Sequence, residues 1–471
     1  MNKKIANTYV EIANRYLTAN ENKLDKECYE LISGMAVFLK DSASEVKADS
    51  NNSGVPPSQD QNRDRGSKKE KSGKSPGGQK GHKGNCLTKM SNPDKIIDIP
   101  VDLSTLPYGE YKEVGFEERQ VINYKIIREV VEYRAQIMSD EYGCLYTASF
   151  PEFVTKAVQY GNSLKSHVVY LSQFQLIPYL RLKEHFTYNA GIPLGTGSIY
   201  NFNKEAFDRL ETFEEWVRKQ AETALILHVD ETGINVNGDN YWVHTYAGEL
   251  FTYMIPHKNR GFEATNNIGI LKNFKEYLVH DGWSTYYRYD CSHVRCNAHH
   301  LRELASVVEN DDYKWASLMN NLLCKINAEA NKADGFLSEA RVKDYKSQYN
   351  LIIAQGEVEC PEPKKTNPSK KGRVAKGKAR NLLERFKDRA EEILIFMEIK
   401  DVPFTNNCAE LAHRMLKVHQ KISGCFKSIT GAKIACRIRS YVDTCRKNNV
   451  PAIEGLEMLF SGEKPNFMNS S

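Results

Sequence analysis

The sequence predicts an α/β chain whose core sheet is flanked and interrupted by helical segments. Three observations carry that expectation. Residues 223–310 hold a short apolar strand, two more strands set off by Gly-containing turns, and then alternating helix and strand, the order that builds a mixed sheet. Residues 153–222 and 311–400 show helical periodicity instead. With 471 residues, 41% of them hydrophobic, the chain has the length of about three domains and can bury a core without covalent staples.

Residues 1–47 read as one or two helices broken near Asn20-Glu21-Asn22, with Tyr9, Ile12 and Tyr16 and then Leu31, Met35 and Phe38 at helical spacing. Residues 48–92 are rich in Ser, Gly, Asn, Pro and Lys, offer almost nothing to bury, and read as a flexible basic linker. Residues 93–152 read as a small β unit. Val121, Tyr124, Ile126 and Ile127, then Val130, Val131, Tyr133 and Ile137, fall in strand-like runs between Pro107-Tyr108-Gly109 and Tyr142-Gly143. In 153–222, a helix over about 178–188 and another over about 196–210 flank a Gly/Pro turn, with Leu180, Leu182 and Phe186 set to face Ile199, Phe202, Ala206 and Leu210. This pair reads equally as a helix-turn-helix that contacts DNA and as two packed helices with no such role.

In 223–310, Leu225–Val229 forms a strand ending at Asp230, and Tyr241–Tyr246 and Phe251–Ile255 form two more. Asn237-Gly238 and Ala247-Gly248 make the turns. A helix over 263–276, a strand at Tyr277–Val279 leading into His280-Asp281-Gly282, a strand at Val294–Cys296 and a helix from His299 to Glu309 follow. Residues 311–400 form a helical insertion. Residues 401–471 return to the core with a helix opening at Asn407 and two further helices.

The net charge of +5 conceals two concentrated segments. Residues 63–83 carry a net of +6 and residues 364–380 a net of +8, which leaves the rest acidic. Lys68, Lys69, Lys80 and Lys83 in the first run, and Lys370, Lys371 and Arg373 in the second, suit a nucleic-acid backbone, whose phosphates lysines neutralise without reading sequence. A solvated face is the plainer reading of either run alone. No stretch approaches the ~18 consecutive apolar residues of a membrane span, and the N-terminus MNKKIANTYVEIANRYL lacks a signal peptide's apolar run. Eleven cysteines without framework spacing point to a reducing cytoplasm.

Three acids stand out. Asp230 lies in HVDETG after the first strand, Asp281 in HDGW after the fourth, and Glu410 in TNNCAE at the start of a late helix. Each alone reads most simply as a turn or cap residue. Together on one sheet rim they would repel unless they held a divalent metal, and hard oxygen ligands suit Mg²⁺ or Mn²⁺. Two such ions ~4 Å apart activate an oxygen on one side of a phosphorus and stabilise the leaving oxygen opposite.

The run VPFTNNCAELAHRMLKVHQKISGCFKSITGAKIACRIRSYVDTCRKN resembles the C-terminal signature of insertion-sequence-66 family transposases. HVDETGINVNGDNYWVHTYA is similar to that family's first-Asp segment and HDGWSTY to its second. NNSGVPPSQD, PGGQKGHKG and YGNSLKSHVVYL…IPYLRLKEHF…IPLGTGSIYN resemble its N-terminal half, so the likeness covers about residues 48–461 in the family's order. It implies a DDE transposase with a ribonuclease-H-like core, acting in transposition and DNA recombination. Asp230, Asp281 and Glu410 match the metal-binding catalytic acids, with Mg²⁺ or Mn²⁺ as cofactor. Transposon-end and target DNA are the implied partners, with an oligomer on DNA and accessory proteins of the same element. Arg414 and Lys417, four and seven residues after Glu410, share its helical face, where they reach phosphates or pair with the carboxylate. A catalytically inactive DNA-binding relic or regulator, and a structure-specific nuclease of the same fold, remain open alternatives.

The sequence departs from the family in its small β unit. Many relatives carry paired zinc-ribbon cysteines there, whereas residues 95–150 contain only Cys144, so a structural zinc is not expected. Cys291, His293, Cys296, His299 and His300 form a second cluster, in which the spacing of Cys296-x-x-His299 permits metal binding, although structural hydrogen bonding at the end of a strand and start of a helix is the plainer reading. Glu231 is expected to be a turn or capping acid, His228 a packed neighbour of Asp230, and Cys408, Cys425, Cys436 and Cys445 small buried residues.

Overall fold

The computed structural model describes residues 87–311, 313–363 and 376–469. The helical segment 1–47, most of the basic linker and the run 364–375 lie outside the described residues, and with them Lys68, Lys69, Lys80, Lys83, Lys370, Lys371 and Arg373. The chain divides into two units between Tyr124 and Lys125. In the described part of the first, 87–124, a short 3₁₀ turn at Leu103–Thr105 is capped by Asp102, whose Oδ1 accepts from the Ser104 amide at 3.0 Å. Gln120 pairs with the backbone of Met90 through two hydrogen bonds of 2.8 Å.

The second unit begins with a hairpin of two short antiparallel strands, β1 (Ile137–Ser139) and β2 (Leu145–Thr147). This hairpin is all that forms of the β unit expected over 93–152. Val121, Tyr124, Ile126, Ile127, Val130, Val131 and Tyr133 lie outside any strand and stay exposed. An apolar run becomes a strand only when a partner strand and a covering face exist, and the described residues offer these runs neither.

Helices α1 (Asn162–Val169), α2 (Tyr179–Ala190), α3 (Thr196–Arg209) and α4 (Glu211–Thr223) follow. Gly191, at φ +62°, ends α2 in the left-handed conformation that favours glycine. Leu182 and Phe186 are buried in one core with Ile199, Phe202, Ala206 and Leu210, as the spacing requires, but Leu180 is exposed.

The sheet comprises β3 (Ile226–Val236), β4 (Asp239–Ala247), β5 (Thr252–His257), β6 (Tyr277–His280) and β7 (Ser292–Arg295) in the order β5-β4-β3-β6-β7. The first three form an antiparallel meander, and β6 and β7 add in parallel beside β3. Between β5 and β6 the helix α5 (Phe262–Ile268) is shorter than expected because Gly269, at φ +91°, stops it. Alternation along β6 covers both faces: Leu278 joins the core beneath α1–α4, and Val279 joins the core of the insertion.

Helices α6 (Asn297–Asp311), α7 (Lys314–Lys332), α8 (Glu339–Glu359), α9 (Lys378–Asp388) and α10 (Ala390–Leu394) make the insertion, around buried Trp315, Tyr345, Tyr349 and Phe386. The end of the second basic run is held within it. Arg380 is 6% exposed and pairs with Glu357 and Glu384, and Lys376 pairs with Glu362 and Glu384. Then α11 (Asn407–Ser423), α12 (Ile429–Lys447) and α13 (Ala452–Ser461) close the chain, with α12 packed against β5. This sheet order, with a late helix returning beside the first strand, is the ribonuclease-H-like arrangement. No helix among the described residues is long and apolar enough to cross a membrane.

Candidate active site

Sheet register brings the first two acids together. His228 on β3 pairs with Val279 on β6, so Asp230 and Asp281, each two residues further on, lie at the same level and on the same face. Asp230 does not end its strand, as the sequence suggested, but sits in the middle of β3. The rim exists because β6 stops at His280, leaving that edge of β3 without a strand partner until its last residue, Val236, bridges Phe426. Asp281 is held by its own turn, its Oδ1 accepting from the Trp283 amide at 2.8 Å. Gly282 between them has φ +93°, and a Cβ there would collide with the Arg295 guanidinium. Arg295 is buried and reaches the Tyr287 hydroxyl and His300.

The third acid arrives on α11, positioned by Asn406 at the helix start. Asn406 is 1% exposed, donates to the Val229 carbonyl at 2.8 Å, meets His228 Nδ1 at 2.9 Å, and donates its own amide to Cys296 Sγ at 3.2 Å. The Asn406 side chain thus ties α11 to the strand of Asp230, and its backbone amide ties the helix start to Cys296 just before α6. Glu410 lies in the first turn of α11. His413, one helical turn on, places Nε2 3.4 Å from Asp230 Oδ2. Lys417 points elsewhere, donating to the Gly233 carbonyl on β3, and burial lowers its pKa. Arg414 is exposed, with no ion pair among the described residues.

Burial pushes the Asp230 carboxyl well above its ordinary range, and the charges of Glu231, Asp281 and Glu410 push it further. His413 does not answer that charge, because burial and Lys417 lower its pKa to about 4 and leave it neutral near pH 7. Burial likewise brings His228 to about 4.

Glu231 is neither a turn nor a capping residue. Its side chain is 1% exposed on the opposite face of β3, accepts from the Tyr286 hydroxyl, and lies 3.4 Å from Arg260. Burial raises it to about 7 despite those partners. The Arg260 guanidinium in turn lies 4.8 Å from the Trp242 ring centre and 4.3 Å from that of Trp283. This cluster links β3, β4 and the turn after Asp281.

Asp230, Asp281 and Glu410 are half-buried, with only neutral histidines close to Asp230, and oxygen donors of this kind fit a hard divalent cation. Glu410 also faces the other way. Its Oε1 lies 3.7 Å from Cys296 Sγ and 3.7 Å from His299 Nδ1. These three are the one group of potential metal ligands among the described residues whose donor atoms all lie within 4.8 Å of one another.

Residues 157–434, more than half of the chain, match the family described as Transposase IS66 family. The chain belongs to the IS66 transposase family. No curated protein matches it. The match spans α2 and α3, the whole sheet and α11, so it takes in all three acids.

Residues that sequence reasoning missed fall into two kinds. His413 carried a usable signal, since three residues after Glu410 is the same helical face. Arg260, Trp242, Trp283, Tyr286 and Asn406 carried none, because they come from separate elements that only the fold assembles. Of the late cysteines, Cys436 and Cys445 are buried as expected, whereas Cys408 and Cys425 are only half-buried.

Proposed function

We propose that this IS66-family protein is a DNA transposase that cuts and joins element ends by metal-assisted phosphoryl transfer, with Asp230, Asp281 and Glu410 as its catalytic, metal-binding acids. The observation that carries the reading is the half-buried Asp230 carboxyl, loaded with the charge of three further acids and answered by no cationic side chain among the described residues. Mg²⁺ or Mn²⁺, when bound there, supplies Lewis-acid activation of the attacking oxygen and stabilises the leaving one.

The protein's own part is placement. Asp230 stands on a central strand and Asp281 on the turn beside it, both rigid, while Asn406 holds the helix that presents Glu410. Arg414, exposed four residues after Glu410, is available to a phosphate beside that acid; Lys417 ties the helix to β3 instead. The DNA partner is transposon-end and target DNA. Lys68, Lys69, Lys80, Lys83, Lys370, Lys371 and Arg373 are the candidate backbone contacts, and α2 with α3 is the candidate helix-turn-helix. An oligomer on DNA and accessory proteins of the same element complete the reading.

A strand-transfer assay tests it. Purified protein, element-end DNA and Mg²⁺ or Mn²⁺ should give both nicked and joined products. Nicked products alone would identify a structure-specific nuclease, and DNA binding with neither product would identify an inactive regulator.

A further inference from the structure

Glu410 faces two kinds of ligand set at once. Toward Asp230 and Asp281 its neighbours are carboxylates, and toward α6 they are a thiol and an imidazole. We propose that Cys296, His299 and Glu410 form a binding site for a thiophilic divalent cation of the zinc class, and that its occupation removes Glu410 from the carboxylate set. The second half rests on the proposed function of Glu410; the first does not.

Local structure brings the donors together. Cys296 follows β7 directly, is 1% exposed, and is fixed by its own amide donating to the His280 carbonyl at 3.0 Å. His299 lies in the first turn of α6, its amide bonded to the Cys296 carbonyl at 3.2 Å, so the two-residue spacing turns both side chains to one side. The Asn406 amide donates to Cys296 Sγ, which orients the sulfur toward Glu410; burial holds the free thiol protonated, so a metal ion must displace its proton. His299 Nδ1 is buried and has no hydrogen-bond partner. A buried ring nitrogen without a partner costs free energy unless a proton donor or a metal meets it.

The distances suit the cation. Bonds of about 2.3 Å to sulfur and about 2.0–2.1 Å to nitrogen and oxygen imply donor-to-donor separations of roughly 3.5 Å around a tetrahedral ion. The two separations from Glu410 Oε1 are both 3.7 Å, within a few tenths of an ångström of that value, and all three donor atoms lie within 4.8 Å of one another. Thiolate and carboxylate together balance a 2+ charge, the neutral imidazole adds none, and the fourth position is left for water. Mg²⁺ disfavours sulfur, so the two cation classes divide the neighbourhood and compete for one residue. Binding converts the thiol to thiolate and releases its proton to solvent, with no change of oxidation state.

Co²⁺ is the probe, titrated into the reduced full-length protein in the presence of excess Mg²⁺. The expected result is one equivalent bound with a near-ultraviolet thiolate-to-cobalt band. Cys296→Ser should abolish that band, and His299→Gln and Glu410→Gln should each weaken binding by about tenfold or more. Asp230→Asn should bind as the unaltered protein does. Absence of the band in the unaltered protein overturns the proposal, as does its persistence in Cys296→Ser. Should Cys296→Ser fail to fold, unchanged affinity in both His299→Gln and Glu410→Gln overturns it equally. One equivalent of Zn²⁺ should then suppress Mg²⁺-supported DNA cutting at least about tenfold and a chelator restore it; undiminished cutting at full occupancy removes the competition. Lack of cutting in zinc-free protein contradicts the proposed function instead and leaves the cobalt result standing.

Discussion

Asn406 Oδ1 meets His228 Nδ1 at 2.9 Å, and this contact joins the helix that carries Glu410 to the strand that carries Asp230. Because burial keeps His228 neutral, its Nδ1–H donates and the amide oxygen of Asn406 accepts, which leaves the amide nitrogen to donate to Val229. Asn406→Ala should cost about 2–4 kcal/mol, since it leaves a buried donor and a buried carbonyl unpaired. Urea unfolding reads the loss. DNA cutting should fall further than stability explains, because the helix start loses its register against β3.

Gly282 is the hinge of the Asp281 turn. Its φ of +93° and the Arg295 guanidinium packed against it exclude a side chain. Arg295 is itself pinned by Tyr287 and His300 and cannot swing clear. Gly282→Ala should destabilise by about 1–3 kcal/mol through backbone strain alone and displace Asp281. An unchanged melting temperature together with unchanged cutting would contradict this.

Arg260 and Glu231 should be coupled. Arg260→Met leaves a buried carboxylate without its cation, while Glu231→Gln removes the demand for one. The Arg260 side chain is 35% exposed, so solvent screens part of the interaction. The double variant should therefore be more stable than additivity predicts by about 1 kcal/mol. Full additivity would show that the contact with Trp242 and Trp283, not the charge, holds Arg260.

Metal and pH should act on stability together. A carboxyl with a raised folded-state pKa stabilises the fold while protonated, and that contribution disappears as pH rises through the raised value. Glu231, at about 7, places its own decline for metal-free protein between about pH 4.5 and 7, and Asp230, raised well above its usual range, adds a further loss in the same direction. Mg²⁺ favours the charged form, so the rise in melting temperature it causes should be larger at pH 8 than at pH 6. Equal shifts at the two values would mean that Asp230 takes no part in binding.

Most of the core was legible because it obeys short-range rules. The turns at Asn237-Gly238 and Ala247-Gly248, the alternation along the strands, and helices α2 and α3 follow from turn chemistry and periodicity. Errors arose where pairing decides. Asp230 read as a strand terminus because the apolar run stops there, yet β4 carries the ladder on to Val236. The runs from Val121 to Tyr133 have strand-forming composition but no strand partner among the described residues, and remain exposed. Glu231 read as a surface acid because nothing local announces Tyr286 and Arg260, which reach it from 55 and 29 residues away. The three acids were visible as residues; the common level of Asp230 and Asp281 came from the His228–Val279 register, which the sequence does not display.

The central claim is that Asp230, Asp281 and Glu410 act as one metal-binding set. The most direct measurement is cutting of element-end DNA in Mg²⁺ and in Mn²⁺ by Asp230→Asn, Asp281→Asn and Glu410→Gln, each first shown to be folded by its unfolding transition. Every one of the three should lose cutting by about a thousandfold or more, as residues that work as a unit do, while DNA binding is retained. Full metal-dependent cutting by any one of them would contradict it.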